Sequence, residues 1–215
     1  MIIDATYFEK GILFIPNNKD ISVSPVDAPS TQSELEVFID NYERDLLINA
    51  LGVSLFNQLV IAMDDLPNAE QKWQDLVEGL DYTVGGHSYR WEGLRGYNKQ
   101  SVIAFYVFCK YLRNDESTYT TTGIVRSTAK NADNYDPTGK YIQAYNSFLE
   151  QYQKDYNYNP NVLINAFGGM GLDYYNNNDS TRSLYQYLTD ANELDVTAFP
   201  DFKFKVYESQ TSLGI

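Results

Sequence analysis

Apolar residues recur at helical spacing over most of this chain, and the interruptions are as informative as the repeats. Leu35, Phe38, Ile39, Tyr42, Leu46, Leu47 and Ala50 step by three and four, which predicts a helix with one apolar face, closed by Gly52. Ser33 followed by Glu36 has the form of a capping box at its start. Leu55, Phe56, Leu59, Val60 and Met63 make a second stripe that Leu66-Pro67 stops. Asn68 or Ala69 then opens a third helix carrying Trp73, Leu76 and Val77 to Gly79.

Helical periodicity breaks between Asp81 and Trp91. Asp81-Tyr82-Thr83-Val84 and His87-Ser88-Tyr89-Arg90-Trp91 alternate aromatic or β-branched with polar residues, and Gly85-Gly86 between them can take the two positive φ values of a tight turn. A hairpin is expected there. The run from about Tyr97 to Arg113 is apolar around most of its circumference, with Val102, Ile103, Phe105, Tyr106, Phe108, Cys109 and Leu112, and predicts the central helix. The Thr-rich stretch from Thr118 to Asp133 reads as an extended excursion. Pro137 starts a further helix through Tyr141, Ala144, Tyr145, Phe148, Leu149 and Tyr152, and another begins at Ser180 or Thr181.

Both ends read differently. Ile12 to Pro16, the ILFIP run, predicts a short strand or an extended arm, followed by a Pro- and Ser-bearing linker. Near the other end Phe202, Phe204 and Val206 alternate with Lys203 and Lys205, a strand pattern for which the ILFIP run is the candidate partner. The expected fold class is therefore mainly α: a compact helical bundle with a β-hairpin and extended N- and C-terminal arms or short strands. Three stretches follow: an arm and linker (1–32), a helical domain with the hairpin at 81–91 (33–157), and a Tyr/Asn-rich segment with a helix and a terminal strand (158–215).

Composition narrows the function. A chain of 215 residues with 43% hydrophobic content can bury one substantial core. The formal charge of −13 argues against binding duplex phosphates, which depends on clustered Lys and Arg, but suits a surface that DNA slides past. The one cysteine, Cys109, excludes an intrachain disulfide and is expected to be a buried thiol. No basic leader or bilayer-length apolar run is visible, so a cytoplasmically made protein with no membrane partner is expected. The 19 tyrosines and many asparagines suit interfaces, wet surfaces or sugar rings.

Catalytic constellations are sparse. One histidine, His87, and one cysteine in another segment do not make a dedicated His/Cys metal site, and Gly168 to Gly171 lacks the Lys and Ser/Thr of a phosphate loop. No cofactor is expected. Asp64-Asp65, Asp75, Glu78 and Asp81 are the carboxylates available for glycoside hydrolysis or calcium, at spacings that single out no pair. Lys99, Lys110, Arg113, Arg126, Lys130 and Lys140 are spread cations that would suit acidic patches on a neighbouring copy.

Several stretches together resemble a known family: the ILFIPN run, YERDLLINALGVSLFNQL, KWQDLVEGLDY, the hairpin closing in RWEGL, an aromatic helix with YLRN, and TTTGIVRSTAKNA. The pattern, from about Ile12 to Tyr152, is similar to head–tail connector or neck adaptor proteins of tailed phages and prophages of the Bacteroidetes. That resemblance implies a non-enzymatic virion subunit, made in the bacterial host cytoplasm. It would join a homo-oligomeric ring under the portal, meet portal and tail or other neck proteins, and let DNA pass without specific binding. The candidate interface is Thr83, Val84, His87, Tyr89 and Arg90 of the hairpin, Ile12 and Phe14 of the arm, and Arg126 and Lys130 of the excursion. A carbohydrate-binding module using exposed Trp, Tyr and Asn is the alternative, and a glycosidase or lysin stands third.

Overall fold

A computed structural model describes residues 1–15, 34–115, 118–120, 123–125, 138–154 and 181–208. It is mainly α, with helices α1 (Glu34–Leu51), α2 (Val53–Asp64), α3 (Gln71–Glu78), α4 (Val102–Asp115), α5 (Thr138–Gln153) and α6 (Leu184–Leu194). Strands β1 (Leu80–Val84) and β2 (His87–Trp91) form the hairpin, and β3 (Thr118–Thr120) pairs antiparallel with β4 (Gly123–Val125) within the expected excursion. Arg126, Lys130 and the Ser33 cap lie outside the described residues, as does most of the Tyr/Asn-rich stretch.

α4 is the central helix. Every residue from Ser101 to Cys109 is buried, and α1 and α5 pack against it. An all-round apolar sequence gives this result because no turn of the helix is left to face water. Trp73, Leu76 and Val77 bury one side of α3, while Leu184, Tyr187 and Leu188 do the same for α6. α6 starts three residues later than the sequence suggested. Ser183 caps it, accepting from the Gln186 amide while the Gln186 side chain accepts from the Ser183 amide.

The N-terminal segment is neither arm nor strand. Residues Ala5–Phe8 and Gly11–Leu13 form two 3₁₀ turns, and Ile2, Ile3, Phe8, Leu13 and Ile15 are buried in the common core. Five apolar side chains in fifteen residues favour docking over extension, since exposing them would forfeit about 1.5–3 kcal/mol each. The buried Glu43 carboxylate on α1 holds this segment. It accepts from the Ile2 amide at 2.8 Å and the Ile3 amide at 3.2 Å, and the Ile15 amide donates to the Phe8 carbonyl at 3.0 Å.

The C-terminal tail is extended but has no strand partner. Its alternation is as expected, with Phe202 and Phe204 packed inward and Lys203 and Lys205 exposed. The tail lies on the end of α1 instead of the ILFIP run: the Lys203 amide donates to the Leu51 carbonyl at 3.3 Å and the Lys205 amide to the Asn49 carbonyl at 2.8 Å. Carbonyls at a helix C-terminus lack intrahelical donors, so an extended tail can supply them. Stacked rings fix it from the other side, Phe204 on Tyr152 at 4.4 Å and Tyr207 edge-on to Phe148 at 5.3 Å. Tyr106, Tyr145 and Tyr152, on the apolar faces that helical spacing predicts, are buried, and so is Tyr187.

No described helix is long and apolar enough to cross a membrane.

Candidate interaction surface

The hairpin is built on a two-residue turn. Val84 pairs with His87, and the intervening Gly85 and Gly86 have φ of +59° and +80°, the left-handed pair a type I′ turn requires. A Cβ at either glycine would meet no atom of the described residues within 4 Å, so the tip stands open among them.

Register decides which residues are free. Direct cross-strand partners share a face, so Leu80 with Trp91, Tyr82 with Tyr89 and Val84 with His87 line one side, while Asp81 with Arg90 and Thr83 with Ser88 line the other. The first side is clamped. Trp91 is buried, donates from Nε1 to the Leu76 carbonyl at 3.0 Å and stacks on Tyr187 at 5.3 Å. The Tyr82 hydroxyl donates to Asp190 Oδ2 on α6 at 2.7 Å, and the Arg182 Nε donates to the same oxygen at 3.1 Å. The Arg182 guanidinium lies 3.5 Å from the centre of the Tyr89 ring. The Arg182 amide also donates to the Arg90 carbonyl at 2.8 Å, so residues before α6 cover the outer edge of β2.

Burial and the Asp190 acceptor push the Tyr82 hydroxyl well above the usual tyrosine range. It is a permanent donor to Asp190. Asp190 is buried yet has both a hydroxyl and a guanidinium on it, the condition under which a buried carboxylate is tolerated.

The base is locked by backbone contact. Gly79 and Gly93 face each other so closely that a Cβ on Gly79 would sit 2.4 Å from the Trp91 carbonyl oxygen, and one on Gly93 would sit 2.6 Å from Gly79 N. The Leu94 amide reaches the Leu76 carbonyl at 3.0 Å and the Arg95 amide reaches Val77 at 3.1 Å. The hairpin thus leaves the core through a glycine seam.

These contacts sort the candidate residues. Thr83, His87 and Arg90 are exposed, with Arg90 held across the strands by Asp81 at 3.0 Å and by Glu92 at 2.9 Å. Val84, expected to project, is buried, and Tyr89 is half-buried under Arg182, because alternation turns both toward the α6 side. Ile12 packs on the core, while Phe14 is exposed and its carbonyl accepts from Lys140 Nζ at 3.3 Å. The N-terminal pair and the hairpin residues are therefore placed by different elements. Arg182, Tyr187 and Asp190, which fix the hairpin, were not singled out in the sequence; they lie about ninety or more positions along the chain from it.

The carboxylates considered for catalysis have separate partners. Asp65 accepts from Asn68 Nδ2 at 3.0 Å, Asp75 from Gln71 Nε2 at 2.8 Å, Glu78 pairs with Arg95, and Asp81 pairs with Arg90. Among the described residues no group of three or more His, Cys, Asp or Glu is arranged to hold a metal ion. Both tryptophans are buried, so no indole face is presented to a sugar.

Comparison with protein-family models, with curated proteins and with solved structures finds no match for this chain.

Proposed function

We propose that this chain is a virion structural protein, a head–tail connector or neck adaptor that acts by assembling into a ring under the portal and joining head to tail. The observation that carries the reading is a hairpin with a solvent-open tip on a rigid helical mount. Assembly through a projecting finger needs both properties: an open tip to reach a neighbour, and a base stiff enough that little ordering entropy is lost on contact. The resemblance of the ILFIPN, LLINALGVSLF and RWEGL stretches to connector proteins supports the same conclusion.

Thr83, His87, Ser88 and Arg90 are the hairpin residues assigned to the neighbour or to the portal. A closed ring needs one face of each copy to meet a different face of the next, and a finger with its separate receiving surface satisfies that rule. The charge of −13 suits a lumen past which DNA moves without adhering. Its place would be the virion neck, after synthesis in the host cytoplasm.

Negative-stain microscopy and light scattering of the purified chain at high concentration, with and without the portal protein, test this reading. Rings, alone or on the portal, are expected. A monomer that ignores the portal under every condition would overturn it.

A further inference from the structure

Towards its C-terminal end α4 carries two cations that lack a carboxylate. Lys110 and Arg113 stand three residues apart, which puts them on one face of the helix. They border a cavity of about 360 Å³ at the meeting of α4, α5 and the C-terminal tail, lined by Tyr106, Tyr141, Tyr145 and Tyr207. Sites for small molecules commonly fall at about 300–1,000 Å³. Lys205, on the tail, is near enough for its charge to act on Lys110.

Ion pairing on this chain is selective. Arg90, Arg95 and Arg182 each hold a carboxylate, whereas Lys110, Arg113 and Lys205 have none within ion-pair distance among the described residues. Scarcity is not the cause, since 29 Asp and Glu face only 16 Lys and Arg. Rings stand there instead: Lys110 Nζ is 5.0 Å from the centre of Tyr106, the Arg113 guanidinium 6.0 Å from Tyr141, and Lys205 Nζ 5.6 Å from Tyr207. A ring face attracts a cation but replaces no strong hydrogen-bond acceptor, so the N–H donors of these groups remain available.

The neighbouring acceptors are committed elsewhere. Asp45 accepts from the Tyr106 hydroxyl at 2.5 Å and from the Asn49 side-chain amide at 3.2 Å, and Glu208, exposed at the rim, makes no ion pair with either cation. Tyr145 spends its hydroxyl on the Glu208 carbonyl at 2.7 Å. What the cavity offers a ligand is therefore ring surface and two positive charges. Burial holds the Lys110 ammonium below the usual lysine range, and a negative partner would offset that loss of hydration.

We propose that this cavity binds an organic carboxylate, its charged end between Lys110 and Arg113 and its flat or apolar body against the tyrosine rings. The same chemistry is carried by a free organic acid and by an Asp or Glu side chain of a neighbouring copy. The site stands independently of the connector reading.

Calorimetric titration of the full chain with benzoate tests the proposal. One benzoate per chain should bind saturably, while acetate, which lacks the ring, and benzamide, which lacks the charge, should each bind at least about tenfold more weakly. Lys110→Met should weaken benzoate about tenfold, and Arg113→Met about threefold because exposed Arg113 is better screened. Neither variant removes an ion pair among the described residues, so their melting curves should hold level or rise. Lys203→Met, which removes a cation of the same tail outside the cavity, should bind as wild type does. Benzamide matching benzoate, both cavity variants matching wild type, or no saturable binding up to the solubility limit would overturn the site. Sedimentation velocity at saturating benzoate separates the two sources. Assemblies that come apart place the carboxylate on a neighbouring copy, and assemblies or monomers left unchanged place it on a free acid; both results uphold the site.

Discussion

Alanine at Gly93 and at Gly86 isolates what the glycine seam contributes. Both residues have φ of +80°, so the cost of placing an L side chain in the left-handed region, about 1–2 kcal/mol, applies to each. The loss of unfolded-state freedom on replacing Gly by Ala is likewise common to both. The surroundings differ. At Gly86 the added methyl meets nothing among the described residues within 4 Å; at Gly93 it would lie 2.6 Å from Glu78 C, Gly79 N and the Val77 carbonyl oxygen. Backbone atoms cannot rotate aside, so the seam must open, adding about 1–3 kcal/mol of overpacking. Opening it also stretches the Leu94 and Arg95 amide bonds to Leu76 and Val77, each worth about 1 kcal/mol. Gly93→Ala should therefore cost about 3–5 kcal/mol and Gly86→Ala about 1–2 kcal/mol. Urea unfolding followed by fluorescence of the buried tryptophans measures both. Equal shifts in midpoint at unchanged slope would refute the claim that the seam is a close backbone contact.

Other consequences are as direct. Tyr152→Phe should hold stability level or raise it by about 1 kcal/mol, because the buried Tyr152 hydroxyl has no hydrogen-bond partner among the described residues; a loss in thermal midpoint would show that it has one. Glu43→Ala should cost about 2–4 kcal/mol by leaving the Ile2 and Ile3 amides unpaired, while Glu43→Gln, which keeps an acceptor, should cost less. Burial holds the Glu43 carboxyl above the usual glutamate range, so the folded state binds its proton more tightly than the unfolded state. Its contribution to stability then falls as pH rises from the ordinary glutamate value through the folded one, and a denaturation series upward from the ordinary glutamate value should lose that slope in Glu43→Gln. The Cys109 thiol, pushed up to about 12 by burial, should react with a disulfide reagent only at the rate the core opens; prompt labelling of the native protein would contradict its burial.

The elements legible in the sequence are those with a local cause. Helical spacing places α1 through α5, and Gly85-Gly86 places the hairpin turn, because periodicity and turn chemistry act within a few residues. Burial on a stripe is less legible. Val60 was placed in the buried face of α2 and is exposed, while Ala62 is buried, since a stripe on a short helix does not say how much of it a neighbour covers. A short apolar run such as ILFIP fits a strand or a tight turn equally well, and here the Phe14 amide donating to the Gly11 carbonyl and the Ile15 amide donating to the Phe8 carbonyl close it into a turn. The terminal Phe-Lys alternation reads as a strand with the ILFIP run as its candidate partner, but no strand forms there, because its amides meet α1 carbonyls about 150 residues away. The hairpin mount was illegible for the same reason: Tyr82 and Asp190 are separated by 108 positions. By contrast, Ser183 and Gln186 have the capping-box spacing in the sequence itself, two or three residues beyond Thr181 and Ser180.

The claim that most needs measurement is assembly. Native mass spectrometry of the purified wild-type chain, titrated from low to high concentration and then with portal added, reports copy number directly. The connector reading predicts one discrete closed oligomer, alone or on the portal, with no open-ended ladder of masses. A single monomer mass of 24.6 kDa at every concentration, with no complex on adding portal, would contradict it.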